Sequence, residues 1–229
     1  MNVLALESSA ITASACVVSN KKVSAVQTQT TGHTHSETLL PMAKKVLESA
    51  SLTVDDIDLF AVSAGPGSFT GVRIGISSIK GLAFGKNKPV ASVSSLEALA
   101  YNLDGFDGIV CPVMDARRSQ VYTAIFKNGE RLSPDMLIKT DELCKMLENY
   151  NEKIYFVGDG FELATKEIKL HNIIPTPIAL RNQSAVSVAL VGLKNYEGGI
   201  DIKSDLDIAP IYLRASQAER ERNERLKND

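Results

Sequence analysis

The chain has 229 residues, 44% of them hydrophobic and 23% charged, the mix of an ordinary globular protein rather than a disordered or fibrous one. Its 25 basic and 27 acidic side chains leave a formal net charge of −2, which excludes a basic nucleic-acid-binding surface over the whole molecule but leaves room for a local patch. The three cysteines, Cys16, Cys111 and Cys144, are far apart and form no CxxC pair, so the expectation is reduced packing residues rather than a disulfide framework or a structural zinc site.

Residues 2–7, 12–18 and 22–31 read as three strands joined by short turns, the third polar enough for a sheet edge. Residues 35–50 then switch to a helical period, with Leu39, Leu40, Met42, Ala43, Val46, Leu47 and Ala50 spread over about 160° of arc, wider than a single core contact needs. Residues 57–63 read as a buried parallel strand, followed by a glycine-rich turn and a helix over roughly 69–84, a strand at 89–93 and a helix at 94–101. The pattern restarts with strands at 108–114, 120–126 and 131–138, a helix at 141–150, a strand at 154–157, and helices at 161–169 and 184–196. The expected division is a first lobe over 1–104, a second, trimmed lobe over 105–216, and a charged, solvated tail over 217–229, where eight of thirteen residues are charged. The opening MNVLALESS resembles no signal peptide, and no apolar run approaches the roughly 20 residues of a membrane span, so a cytoplasmic chain without a membrane partner is expected.

GPGSFTGVRIG at 65–75 is the most informative stretch. It is either a phosphate cradle at a helix start or a tight strand-to-helix turn, and it is neither a P-loop nor a GxGxxG fingerprint. In the helix after it, Val72, Ile76, Ile79 and Ala83 form a core stripe, while Gly71, Ile74, Gly75, Ser78, Gly81, Leu82 and Gly85 lie on the other side. Helical glycines cost about 1 kcal/mol each, so a close neighbour is required: this chain's own second lobe, or a partner protein. The hairpin Glu7-Ser8-Ser9 offers a carboxylate and two hydroxyls to a phosphate or metal, or is simply a polar turn. His33 and His35 stand in an HxH pair beside Glu37 without an apparent third ligand.

LALESS at 4–9, HSETLLPM at 35–42, GPGSFTGVRIG at 65–75 and PIYLR at 210–214 together resemble the TsaB (YeaZ-type) family, actin-like subunits of the bacterial tRNA threonylcarbamoyladenosine machinery. The resemblance implies an α/β, actin-like fold of two lobes, each a mixed sheet with flanking helices. It implies a non-catalytic subunit that binds its paralogue TsaD, together with TsaE, for threonylcarbamoyl transfer to the adenosine beside the anticodon in tRNAs reading codons that begin with adenine. ATP and metal are then expected on TsaD, no cofactor on this chain alone, tRNA contact through the complex, and a homodimer when TsaD is absent. TsaD carries a histidine pair where this chain has Ser95 and Leu99, which cannot ligate a metal as imidazole does.

The expected partner interface is Leu39, Met42, Ala43, Val46, Gly71, Ile74, Gly75, Ser78 and Leu82, with Gly75→Leu expected to leave the monomer folded. Glu7, Ser8, Ser9, Gly158 and Gly160 are the candidates for a vestigial nucleotide site. The competing readings are a self-sufficient ATP-dependent transferase or kinase using Glu7, Ser8 and Gly158, and a metallopeptidase using His33 and His35.

Overall fold

The structure, a computed structural model, describes residues 1–31 and 34–214. The expectations for His33 and for the tail at 217–229 fall outside the described residues.

The chain opens with strands β1 (Asn2–Glu7), β2 (Ala13–Ser19) and β3 (Lys22–Gln29), an antiparallel meander. Helix α1 (His35–Ser49), strand β4 (Leu59–Gly65), helix α2 (Phe69–Ala83), strand β5 (Val90–Ser94) and helix α3 (Ser95–Tyr101) follow. Strands β4 and β5 extend the sheet in parallel beside β1. The second half contributes β6 (Ile109–Asp115), β7 (Gln120–Thr123), β8 (Phe126–Lys127), β9 (Glu130–Arg131), β10 (Met136–Lys139), α4 (Thr140–Leu147), β11 (Ile154–Val157), α5 (Phe161–Glu167), α6 (Ala185–Gly198) and β12 (Ile202–Lys203). The expected strand over 120–126 is broken at Ala124–Ile125, where the backbone leaves β7 and re-enters beside β6 as β8.

Two six-stranded sheets result. In the first, ordered β12-β5-β4-β1-β2-β3, the two-residue period of β1 sends Leu4 and Leu6 to one face and Val3 and Ala5 to the other. Helices α1 and α2 cover the first face and α6 covers the second. The second sheet is covered by α4 and α5 on one side and by α3 on the other.

The expected lobe limits need correction here. Helix α6 and strand β12, which the sequence division places in 105–216, belong to the first sheet: β12 pairs with β5, and α6 fills the face that Val3, Ala5, Ala61 and Ala91 leave apolar. Helix α3, which the same division places in the first lobe, packs Leu96 and Leu99 on the second sheet and Ala98 on the α6 side, so it forms a shared layer between the lobes. Both corrections have one cause: an apolar sheet face must be covered, and chain order does not say by which helix.

Candidate functional site

Hairpin β1–β2, the β4–α2 turn and the β6–β7 turn meet around a cleft of about 340 Å³ between the lobes, bordered by Ser9, Ile11, Ser68, Asp115, Arg117 and Asp159. Parallel strands β1 and β4 end side by side there, as expected for an α/β site.

Several donors that could cradle a phosphate are engaged within the chain, although the buried Ser9 hydroxyl has no partner. The Ser9 N–H donates to Glu7 Oε1 at 2.5 Å, and the Ser68 N–H to the Ser9 carbonyl at 2.7 Å. Ser68 caps α2 by accepting from the Gly71 N–H at 3.2 Å. The Ser8 hydroxyl donates to the Gly71 carbonyl at 2.9 Å. On the far side, the Gly158 N–H donates to the Arg181 carbonyl at 2.7 Å and the Gly160 N–H to the Val113 carbonyl at 3.0 Å. Gly158 adopts a φ of +116°, and a Cβ there would overlap the Val113 carbonyl oxygen, so this glycine serves the close passage of two strand ends.

Glu7 lies buried behind Ser9 and is not part of the cleft lining. Its side chain is fully buried, burial pushes its carboxyl above the usual range against hydrogen bonds from Ser9, and its Oε2 has no partner. Beside it, the buried Ser63 and Ser95 hydroxyls share a hydrogen bond of 2.6 Å. Leu99, at the second position where the resemblance implies a paralogue histidine, is buried against the second sheet. Asp159 is also held above the usual carboxylate range by burial, opposed by a hydrogen bond from Gln183 Nε2 at 3.0 Å. In this arrangement the amides named above are not available to a phosphate, and the Glu7 carboxylate is sealed off from the cleft.

Among the described residues, no group of three His, Cys, Asp or Glu side chains could hold a metal. The His35 Nε2–H donates to the Ala10 carbonyl at 2.6 Å and ties the start of α1 to the hairpin. No described helix is long and apolar enough to cross a membrane.

The partner face expected from sequence also needs correction. Leu39, Met42, Ala43 and Val46 are at most 2% exposed and pack into this chain's own core with Leu4, Leu6 and Val62. Gly71 and Gly75 face hairpin β1–β2 rather than solvent: a Cβ on Gly71 would overlap the Ser8 carbonyl, and one on Gly75 would lie 2.6 Å from Ser8 Oγ and 3.3 Å from Val62 Cγ2. Ser78 is buried, and Leu82 is partly buried against the same core. The close neighbour demanded by these glycines is therefore the hairpin of this chain's own first lobe, neither the second lobe nor a partner protein, and Gly75→Leu is expected to disturb the monomer.

What remains open is an apolar groove of about 620 Å³ between α1 and α2, lined by Leu40, Phe69, Ile74 and the small Ser36, Thr70 and Ser77. Ile74 and Ser78 are the two expected interface residues that border it. Leu40, 46% exposed, and Phe69 stand outside the set expected from sequence. Leu40 is legible as one margin of the overwide apolar arc of α1, because the sheet covers only about 100° of a helix.

Residues 17–222 match the family described as TsaD: tRNA N6-adenosine threonylcarbamoyltransferase. The tRNA threonylcarbamoyladenosine biosynthesis protein TsaB of Bacillus subtilis is 31% identical over 228 residues, covering 96% of both chains. An uncharacterised protein from Pseudomonas aeruginosa with similarity to peptidase YeaZ superposes with a TM-score of 0.80 at 23% identity, over 93% of this chain and 99% of that one. Component A of the (R)-2-hydroxyglutaryl-CoA dehydratase of Acidaminococcus fermentans superposes with a TM-score of 0.53 at 10% identity, over 86% and 99% of the two chains. These structural likenesses show the fold, the two-lobed actin-like α/β architecture.

Proposed function

The chain belongs to the TsaB family of tRNA threonylcarbamoyladenosine biosynthesis proteins, and from that premise we propose that it serves this biosynthesis as a non-catalytic assembly subunit that docks on TsaD. The observation that carries the reading is the open apolar groove between α1 and α2. It exposes Leu40 and half-buries Ile74 and Phe69, and contiguous apolar surface of this kind marks a protein contact. The match to the TsaD family supports a related architecture in the partner, so an equivalent pair of helices on TsaD would meet this pair in a quasi-symmetric bundle. The same self-complementarity lets two copies of this chain pair when TsaD is absent.

In this reading the chain supplies no chemistry. ATP and metal reside on TsaD, TsaE joins the assembly, and tRNA is met through the complex in the cytoplasm. The engaged amides of the cleft and the sealed Glu7 support it against a self-sufficient ATP-dependent transferase.

The test is co-purification with TsaD followed by sedimentation of the complex. Leu40→Glu and Ile74→Glu place charge in the groove and are expected to abolish association, while Asp115→Asn in the cleft leaves it intact. A complex that survives both groove variants places the contact elsewhere.

A further inference from the structure

Residues 204–214 form a strap that touches both the groove and the cleft. It leaves β12, buries Ile208 in the core beneath α1 and α2, and runs antiparallel to α2. Lys80 Nζ donates to the Leu206 carbonyl at 3.0 Å, and the Ile211 N–H donates to the Ala64 carbonyl at 2.7 Å. A Cβ at Gly65, whose φ is +115°, would come within 2.5 Å of the Ile211 carbonyl oxygen, so only glycine lets the strap lie this close.

Two residues at its end then diverge. The Tyr212 ring stacks on Phe69 with centroids 4.7 Å apart, and its hydroxyl accepts from Arg73 Nε at 2.7 Å. The Arg73 guanidinium lies 3.8 Å from the centre of the Phe69 ring. Phe69 and Arg73 are groove residues. Arg214 crosses to the second lobe, where Nη1 donates to the Ala116 carbonyl at 2.9 Å and Nη2 donates to Gln120 Oε1. Ala116 borders the cleft.

We propose that this strap couples the two sites: a partner seated in the α1–α2 groove holds Tyr212 down, and thereby favours the state in which Arg214 clasps the β6–β7 turn at the cleft mouth. The inference rests on the docking reading above. The two states are strap seated and strap released. The partner distinguishes them because the Phe69–Arg73–Tyr212 stack is complete in the seated state alone. Coupling of this kind is reciprocal, so loss of the clasp weakens docking even though the Arg214 guanidinium bonds to the second lobe.

The experiment is amide hydrogen exchange over residues 113–123 of the full chain, free and saturated with TsaD, in wild type and in Arg214→Ala and Tyr212→Ala. TsaD affinity is measured for each by calorimetry, and melting temperature serves as the folding control. Expected are slower exchange over 113–123 when TsaD binds the wild type and loss of that slowing in both variants. Affinity of Arg214→Ala is expected to fall by about fivefold or more. Unchanged exchange in the wild-type complex overturns the coupling whatever the variants do, and so does an Arg214→Ala affinity within about twofold of wild type. In either case the docking reading survives, whereas failure of the wild type to bind TsaD at all removes both.

Discussion

Ser8 sits directly under Gly71: its hydroxyl donates to the Gly71 carbonyl at 2.9 Å, and its own carbonyl occupies the space a Gly71 side chain would need. This contact presses α2 onto hairpin β1–β2 and explains why glycines are tolerated in the middle of a helix. A buried close approach offsets the roughly 1 kcal/mol that each glycine costs in propensity.

Gly75→Leu is accordingly expected to destabilise the chain by about 2 kcal/mol or more, since Ser8 Oγ and Val62 Cγ2 must both move, and to lower the melting temperature by about 5 °C or more. Gly81, on the same helix, is the control, because a side chain there would meet nothing within 4 Å. Gly81→Ala should gain up to about 1 kcal/mol from propensity alone. Thermal melts followed by circular dichroism read both, and equal shifts in one direction would contradict the packing described.

Adjacent Leu39 and Leu40 separate stability from association. Leu39 is fully buried, so Leu39→Ala should cost about 2–5 kcal/mol. Leu40 is exposed in the groove, so Leu40→Ala should change stability by no more than about 0.5 kcal/mol while weakening TsaD binding. Denaturant unfolding together with a binding isotherm distinguishes the two.

Glu7 makes stability depend on pH. Its folded carboxyl is held above the ordinary 4.5 by burial, so the folded state retains the proton after the unfolded state has released it. Its contribution is therefore fully present below about pH 4.5 and is lost as pH rises through the raised folded value. Glu7→Gln keeps an oxygen for the Ser9 N–H and removes this dependence. The variant should melt higher than wild type at pH 8, with the gap closing as the pH approaches 4.5. A constant gap across that range would show that Glu7 is not the titrating group.

Burial pushes the Cys16 and Cys111 thiols up to about 12, so almost no thiolate exists at pH 8. A thiol reagent added to the native protein should react first at the partly exposed Cys144, and with the other two at the rate of unfolding. Peptide mapping of the labelled sites after short exposure reads this directly.

With the Ser9, Ser68, Gly71, Gly158 and Gly160 amides engaged and Glu7 buried, the isolated chain should bind ATP and magnesium weakly or not at all. A micromolar dissociation constant by calorimetry would reopen the transferase reading.

Periodicity locates most of these elements. The helical pattern over 35–50 corresponds to α1 at His35–Ser49, and that over 69–84 to α2 at Phe69–Ala83. Which face meets what is less legible. An apolar arc says that something covers it, but Leu39 and Leu40 are chemically identical and differ only in where the sheet lies. The internal role of Gly71 depends on a hairpin more than sixty residues earlier in the chain, a relationship no local pattern records. The strap lacks a sequence signature for a related reason: Tyr212 and Arg214 follow no helical or strand period, and their partners Phe69 and Ala116 lie in different lobes.

The return of α6 to the first sheet fixes an order of assembly during synthesis. The Cys16 thiol meets the Ala185 carbonyl at 3.1 Å across a separation of 169 residues. Strands β1 to β5 leave the ribosome with one apolar face bare, and it stays bare for on the order of ten seconds while the intervening chain is translated. Strands β6 to β11, with α4 and α5, come from one unbroken stretch and have their covering helices at once. The half of the protein made first is thus the last to close, and during that interval the bare face of Val3, Ala5, Ala61 and Ala91 is the part of the nascent chain most open to chaperone capture or to aggregation.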